Sequence, residues 1–154
     1  MNRDYKIISV NENQKLKQRL LDYVKTSGWR VFPFFKEQLE IGLDSIDGVQ
    51  QTFILMRKTK IIGFCQFIKY ESINNQSLTP WISTLFIDEE YRGNRLSGLL
   101  IENARNYAKK LGYEKLYLST DHIQLYEKFG FKEIGLDIDK WGYPTKIYEI
   151  NTDY

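Results

Sequence analysis

Apolar positions change their spacing several times along this chain, and each change predicts an element. Tyr5 to Val10 is short and β-branched and predicts a strand. Asn11 followed by Gln14 reads as a capping box. Leu16, Leu20, Tyr23 and Val24 then recur at helical spacing, with Gly28 as the stop. Pro33 opens a less regular apolar segment through Phe34, Phe35, Leu39 and Ile41, read as a second helix. Thr52 to Arg57 and Ile61 to Tyr70 are strand-like, joined by Lys58-Thr59-Lys60 as a hairpin connection that lacks the usual glycine.

Ser72 to Pro80 is a polar loop, and Trp81 to Ile87 is another strand, ended by Asp88-Glu89-Glu90. Leu96, Leu99, Leu100, Ala104, Tyr107, Ala108 and Leu111 form the clearest helical stripe in the chain, closed by Gly112. Leu116 to Ser119 reads as a strand and Ile123 to Phe129 as a short helix ended by Gly130. Phe131 to Leu136 and Thr145 to Ile150 read as the last two strands. The order β-α-α-β-β-β-α-β-α-β-β mixes hairpins with a crossover, which fits a mixed α/β sheet.

Composition narrows the classes. At 154 residues the expectation is a single domain over 1–154 with a sizeable core. The 22 basic and 20 acidic residues nearly cancel, so the charge gives no reason to expect a nucleic acid or a membrane surface as partner. No apolar run is long enough to span a bilayer, and no apolar signal core follows the N-terminus. A single cysteine and a single histidine exclude a disulfide framework and a metal site built on several such ligands. Cys65, in an apolar strand with no activating base nearby in sequence, reads as a small buried hydrophobe. These features point to a cytoplasmic protein.

The informative segment runs from Phe86 to Ile101, where a strand stops, a polar turn follows and the long helix begins. Unpaired amides collect at such a helix start and the helix dipole favours an anion there. Gly93 and Gly98 leave room for close approach, and Arg92 and Arg95 add cationic donors, so this is a candidate pyrophosphate site. Neither G-x-x-x-x-G-K-[ST] nor G-x-G-x-x-G is present. A second segment, Leu125-Tyr126-Glu127-Lys128-Phe129-Gly130-Phe131, follows the strand at Leu116 to Ser119. Taken alone, its tyrosine is an ordinary core ring with a polar tip.

Together, Tyr91-Arg92-Gly93-x-x-Leu96-x-x-Leu99-Leu100-Ile101, Lys110-Leu111-Gly112-Tyr113 and Leu125 to Phe131 resemble the GNAT acyltransferase family, most clearly from Trp81 to Gly135. The resemblance implies that fold, with two neighbouring parallel strands, Trp81 to Ile87 and Leu116 to Ser119, splayed around acetyl-CoA as acyl donor. It assigns the pantetheine contacts to the backbone of Leu85, Phe86 and Ile87. The pyrophosphate loop falls on Arg92, Gly93, Asn94, Arg95, Leu96 and Ser97, with Gly98 next. Arg95 and Ser97 stand where the family loop has glycine or another small residue. The Arg95 side chain either crowds the phosphate or contacts it as a charged donor.

The same resemblance makes Tyr126 the general acid for the departing thiolate. The first strand of the pair offers no glutamate as base, so His122, the only histidine, becomes the candidate base, with Asp121 beside it as a helix cap. The first two helices of the family border the acceptor, which brings in Trp29, Phe32 and Phe34 from an aromatic cluster and, less directly, Trp141. The expected function is acetyl transfer to a primary amine of a small molecule, amino acid or peptide. The altered loop and missing strand glutamate motivate the alternative of a catalytically silent acyl-CoA-binding or sensing module. Homodimers are frequent in the family, and no metal is implied.

Overall fold

The computed structural model describes residues 4–27, 32–120 and 125–154. Seven strands form one mixed sheet: β1 (Tyr5–Ser9), β2 (Gln51–Arg57), β3 (Lys60–Ile68), β4 (Trp81–Ile87), β5 (Lys115–Thr120), β6 (Lys132–Ile138) and β7 (Pro144–Asn151). They lie in the order β1-β2-β3-β4-β5-β7-β6, and among the described residues only the β4–β5 pair is parallel. Among the described residues three α-helices cover the sheet: α1 (Lys17–Thr26), α2 (Phe32–Asp44) and α3 (Ser97–Lys110).

The period-two alternation of the central strands divides the core into two layers. Phe53 and Leu55 of β2 pack with Leu100, Ile101 and Ala104 of α3. Ile54 and Met56 of the same strand join Leu20, Val24, Phe35 and Leu39 of α1 and α2. Because both faces are covered, β2 and β3 read as nearly unbroken apolar runs.

Several local expectations change. Asn11 is no helix cap: its side-chain amide donates to the Gly42 carbonyl (3.0 Å) and the Gln50 carbonyl (3.2 Å), tying the first connection to the end of α2 and the approach to β2. The chain passes through two 3-10 turns, Val10–Glu12 and Gln14–Leu16, before α1 begins at Lys17. The β2–β3 hairpin closes with Arg57 opposite Lys60, and Lys58 adopts the left-handed φ of 54° that a glycine would take more readily. β3 stops at Ile68, two residues before Tyr70. In place of a helix over Ile123–Phe129, the described part of that segment is a single 3-10 turn, Glu127–Phe129, ended by Gly130 at φ 102°. The proposed helix start lies at residues outside those described.

One buried polar chain crosses the sheet toward β4. The Gln66 amide of β3 donates to the Phe35 carbonyl (2.9 Å) and to the Thr52 hydroxyl (3.2 Å), and Gln66 Oε1 accepts from the Thr84 hydroxyl (2.9 Å). This links α2, β2, β3 and β4 through a residue fully removed from water. Gln66→Leu removes the one side chain that the Phe35 carbonyl, the Thr52 hydroxyl and the Thr84 hydroxyl share. The expected cost is about 1–3 kcal/mol, measured as a fall in Tm.

Candidate active site

The site begins where β4 and β5 stop being neighbours. Their parallel pairing is confined to Trp81 with Tyr117 and Ile82 with Leu118. Beyond it, β4 continues to Ile87 and β5 to Thr120, and the two strands part. A bulge on the opposite edge of β4 accompanies the parting. Ser83 pairs with Gln66 and Phe86 with Phe64, so Thr84 and Leu85 together oppose Cys65. Thr84 sits at φ 53°, rare for a β-branched residue. The Gln66 contact holds that conformation in place.

The opening is part of a cavity of about 1060 Å³. Its floor is Ile82 to Leu85 of β4 and Leu118 to Thr120 of β5. Tyr126 closes one side. Phe34 of α2, Glu71 and Ser72 after β3, and Asp139, Trp141 and Tyr143 between β6 and β7 form the other.

At the α3 end, helix initiation supplies the chemistry. Ser97 is the first helical residue, and no side chain caps the helix. Gly98 and Leu99 amides bond back to the Arg95 and Leu96 carbonyls (3.1 and 3.0 Å), which leaves the start of the helix to offer its earlier amides outward. Gly93, at φ 87°, has no atom within 4 Å of where a Cβ would stand. Gly98 differs from its expected role: a Cβ there would lie 2.9 Å from a ring carbon of Phe129, so its smallness admits protein packing rather than a ligand. Leu96 points into the core.

The two arginines are placed differently. Arg92 Nε donates to the Ile87 carbonyl (2.8 Å) and its guanidinium lies 5.3 Å from the Phe86 ring centre, so it braces the end of β4. Arg95 holds φ 59°, the backbone conformation that explains a glycine at this point of the family loop, and its guanidinium lies 6.0 Å from the Phe129 ring centre. Arg95→Gly is expected to raise stability by about 1 kcal/mol by relieving the left-handed strain, whereas Arg95→Val lowers it; thermal unfolding reads both. Calorimetry with CoA on the Arg95→Gly variant decides between the two roles: tighter binding means crowding, weaker binding a phosphate contact.

Tyr126 is 9% exposed, lines the cavity and packs edge-on against Phe131 at 6.3 Å. Burial pushes its phenol above the usual tyrosine range, so it keeps its proton at neutral pH. The sole cysteine, Cys65, is fully buried, and burial pushes its thiol up to about 12, which removes it as a nucleophile.

The residue missed in the sequence is Glu71. Its side chain is 8% exposed and lines the same cavity. Burial raises its carboxyl above the ordinary carboxylate range; the Ser83 hydroxyl, the Ser72 amide (2.9 Å), the Ser72 hydroxyl (3.2 Å) and the charge of Lys140 pull it back. Glu71 therefore meets β4 through Ser83, although it belongs to the following loop rather than to that strand. The loop is fixed from outside: Lys140 N donates to the Ser72 carbonyl (2.9 Å), Asn74 N to the Ile138 carbonyl (3.3 Å), and Asn75 N to Asp137 Oδ2 (2.8 Å). Asp139, also on the cavity wall, spends its carboxylate on the Trp141 and Tyr143 amides (3.0 and 2.9 Å). No local spacing announces Glu71, because the anchors that fix its loop, at Asp137, Ile138 and Lys140, lie more than 60 residues further along the chain.

The expected acceptor aromatics separate. Phe34 lines the cavity and meets Trp141 edge-on at 6.2 Å, with Lys140 Nζ 4.7 and 4.9 Å from their ring centres. Phe32 packs against the α1–α2 layer instead. Trp29, Asp121 and His122 lie outside the described residues. Among the described residues no group of three or more His, Cys, Asp or Glu is arranged to hold a metal ion, and no helix is long and apolar enough to cross a membrane.

The acetyltransferase (GNAT) family profile matches residues 16–131, and the chain belongs to that family. The solved structures agree on the fold. A GNAT-family protein from Desulfovibrio desulfuricans superposes with a TM-score of 0.73 at 11% identity, covering 96% of this chain and 99% of its own. The aminoglycoside 6'-acetyltransferase type Ii gives 0.70 at 18% identity, covering 97% and 98%. A Bacillus anthracis protein solved in complex with acetyl coenzyme A gives 0.55 at 23% identity, covering 66% of this chain and 63% of its own. No curated protein sequence matches the chain significantly.

Proposed function

We propose that this protein transfers an acetyl group from acetyl-CoA to a primary amine of a small molecule, amino acid or peptide by direct attack. The observation that carries this reading is the cleft itself. One continuous cavity brings the edge of a splayed strand, a protonated buried phenol and a buried carboxylate together. The uncapped α3 start adjoins the end of β4. The bound acetyl-CoA of the Bacillus anthracis structure and the amine acceptor class named for the aminoglycoside enzyme support it.

The residues fit the donor. The amides of Gly93 to Ser97 would hold the diphosphate at the positive end of α3, and the backbone of Leu85 to Ile87 would pair with the pantetheine arm as a strand would. Acetyl-CoA supplies an activated thioester. Glu71 holds the acceptor's ammonium and takes its proton, directly or through one water, so that a neutral nitrogen attacks the carbonyl carbon. A β4 amide beyond the bulge stabilises the charge that develops on the carbonyl oxygen. Tyr126 gives its proton to the departing sulfur as the carbon–sulfur bond breaks, and the nitrogen, cationic once the carbon–nitrogen bond has formed, releases its extra proton through solvent to the phenolate that remains, leaving a neutral amide, free CoA thiol and a reprotonated Tyr126. His122 is the second candidate for the base, on sequence alone. The setting is the cytoplasm, which accords with a lone reduced, buried cysteine.

Mixing the protein with acetyl-CoA and a panel of amines, while following free thiol, tests the proposal. Turnover with a primary amine is the expected result. CoA binding by calorimetry with no amine acetylated across the panel would instead support the silent sensing module.

A further inference from the structure

The cleft carries aromatic surface that no step of the transfer uses. Phe34 of α2 and Trp141 and Tyr143 of the β6–β7 connection all line it. Phe34 is 7% exposed, yet Trp141 and Tyr143 are 50% and 61% exposed. Single exposed apolar side chains are ordinary, but two large rings on one turn of one cavity wall form a patch that a ligand would cover. The turn that carries them is held by its own hydrogen bonds. Asp139 Oδ1 accepts from the Trp141 and Tyr143 amides, Gly142 N donates to the Asp139 carbonyl (3.0 Å), and Asp139 N donates to the Tyr143 carbonyl (2.9 Å). The rings are therefore presented by ordered backbone, which lowers the ordering cost of binding against them.

Charge on the wall is sparse. Among the described residues the lining carboxylates are Glu71 and Asp139. Asp139 is tied to the amides of its own turn, whereas Glu71 is bonded to Ser83 of β4, beside the parting strands. At the aromatic end a cation is already in place: Lys140 Nζ lies 4.7 Å from the Phe34 ring centre and 4.9 Å from that of Trp141. A second ammonium arriving there meets a like charge, and a carboxylate next to the reacting amine meets Glu71. The carboxylate and the rings are close along the wall. Lys140 N donates to the Ser72 carbonyl (2.9 Å), so one hydrogen bond joins the neighbour of Trp141 to the neighbour of Glu71.

We propose that the acceptor is a monocationic arylalkylamine, an aromatic ring on a short alkyl chain ending in a primary amine, with its ring against Trp141 and Phe34 and its ammonium on Glu71. This narrows the acetyl-transfer reading of the same cleft and rests on it. A polyamine brings further ammonium groups to a wall that carries Lys140, a ringless alkylamine leaves the aromatic patch wet, and a free α-amino acid sets its carboxylate against that of Glu71. Trp141 is then a specificity-determining residue: it acts on the part of the acceptor that does not react.

The test gives the full chain acetyl-CoA with 2-phenylethylamine, tyramine, n-butylamine, spermidine or L-phenylalanine and follows free thiol. Calorimetry in the presence of CoA gives the Kd of each acceptor separately. The two aryl amines should exceed the other three in kcat/KM by about tenfold or more. Trp141→Ala should shrink the aryl-to-butyl ratio by about tenfold, through KM, and Trp141→Phe should restore part of it. Trp141 is exposed, so both variants should fold. The acceptor class is overturned, with acetyl transfer intact, if spermidine, butylamine or L-phenylalanine is turned over as well as the aryl amines, or if the ratio ignores Trp141→Ala. If no amine is acetylated, acetyl transfer fails instead and the Kd values decide the class. Aryl amines bound more tightly than butylamine by the same factor uphold it; equal binding, or none, overturns it.

Discussion

Tyr126→Phe is expected to lower kcat for acetyl transfer by about 10²–10⁴-fold, the usual range for a positioned general acid. The Kd for acetyl-CoA should stay within about twofold, because the proposed cofactor contacts are backbone amides of the α3 start and β4. The ring is buried against Phe131 and the residue lines the cavity, so removing one oxygen leaves the packing in place. The wild-type pH profile carries the same signature. Burial raises the phenol above 10, so the acid form persists through neutral and mildly alkaline pH. No loss of kcat from this group is expected until the pH passes that raised value. A Tyr126→Phe enzyme with undiminished kcat would remove the phenol from the reaction.

Glu71→Gln should separate activity from stability. At neutral pH we expect kcat/KM for the amine to fall by about 10²-fold or more, since glutamine neither takes a proton nor pairs with an ammonium. Stability should move the other way. The carboxyl of Glu71 holds its proton more tightly in the folded protein than in the unfolded chain. Between the two pKa values the folded state binds more protons, so stability falls as pH rises through that interval. Above it, the full cost of a buried charge is present. Glu71→Gln should therefore raise Tm at neutral pH, and the gain should disappear below the ordinary glutamate range. Thermal scans at neutral and acid pH, beside the kinetics, check both halves. A variant with lower activity and lower Tm at neutral pH would mark Glu71 as a structural support.

The parts of the site that were legible in sequence are those made by local periodicity. The stripe from Leu96 to Leu111 gives α3, and its abrupt start after Asp88-Glu89-Glu90 locates the amide-rich turn. The β2–β3 hairpin was legible without a glycine because Lys58 accepts the left-handed turn. What was not legible depends on contacts distant in sequence. Asn11 matched a capping pattern, yet its amide reaches Gly42 and Gln50. Glu71 falls between the strand read to Tyr70 and the polar loop read from Ser72, and only the β6–β7 connection, which also lines the cavity, gives it a setting. The apolar spacing of Leu125 and Phe129 suggested a helix, whereas the described backbone makes one tight turn that seats Tyr126 on the cavity wall and Phe129 on Gly98. Arg95 was read as a departure from the family loop. The structure shows that its backbone keeps the glycine-like conformation while its side chain turns to Phe129.

The left-handed Thr84 has one more consequence. Because folding itself sets this kink, the slot between the two diverging strands stands ready before any thioester arrives. Donor affinity then carries no discount for a rarely populated open state. Association should proceed in one kinetic phase, with the observed rate climbing linearly as donor concentration increases.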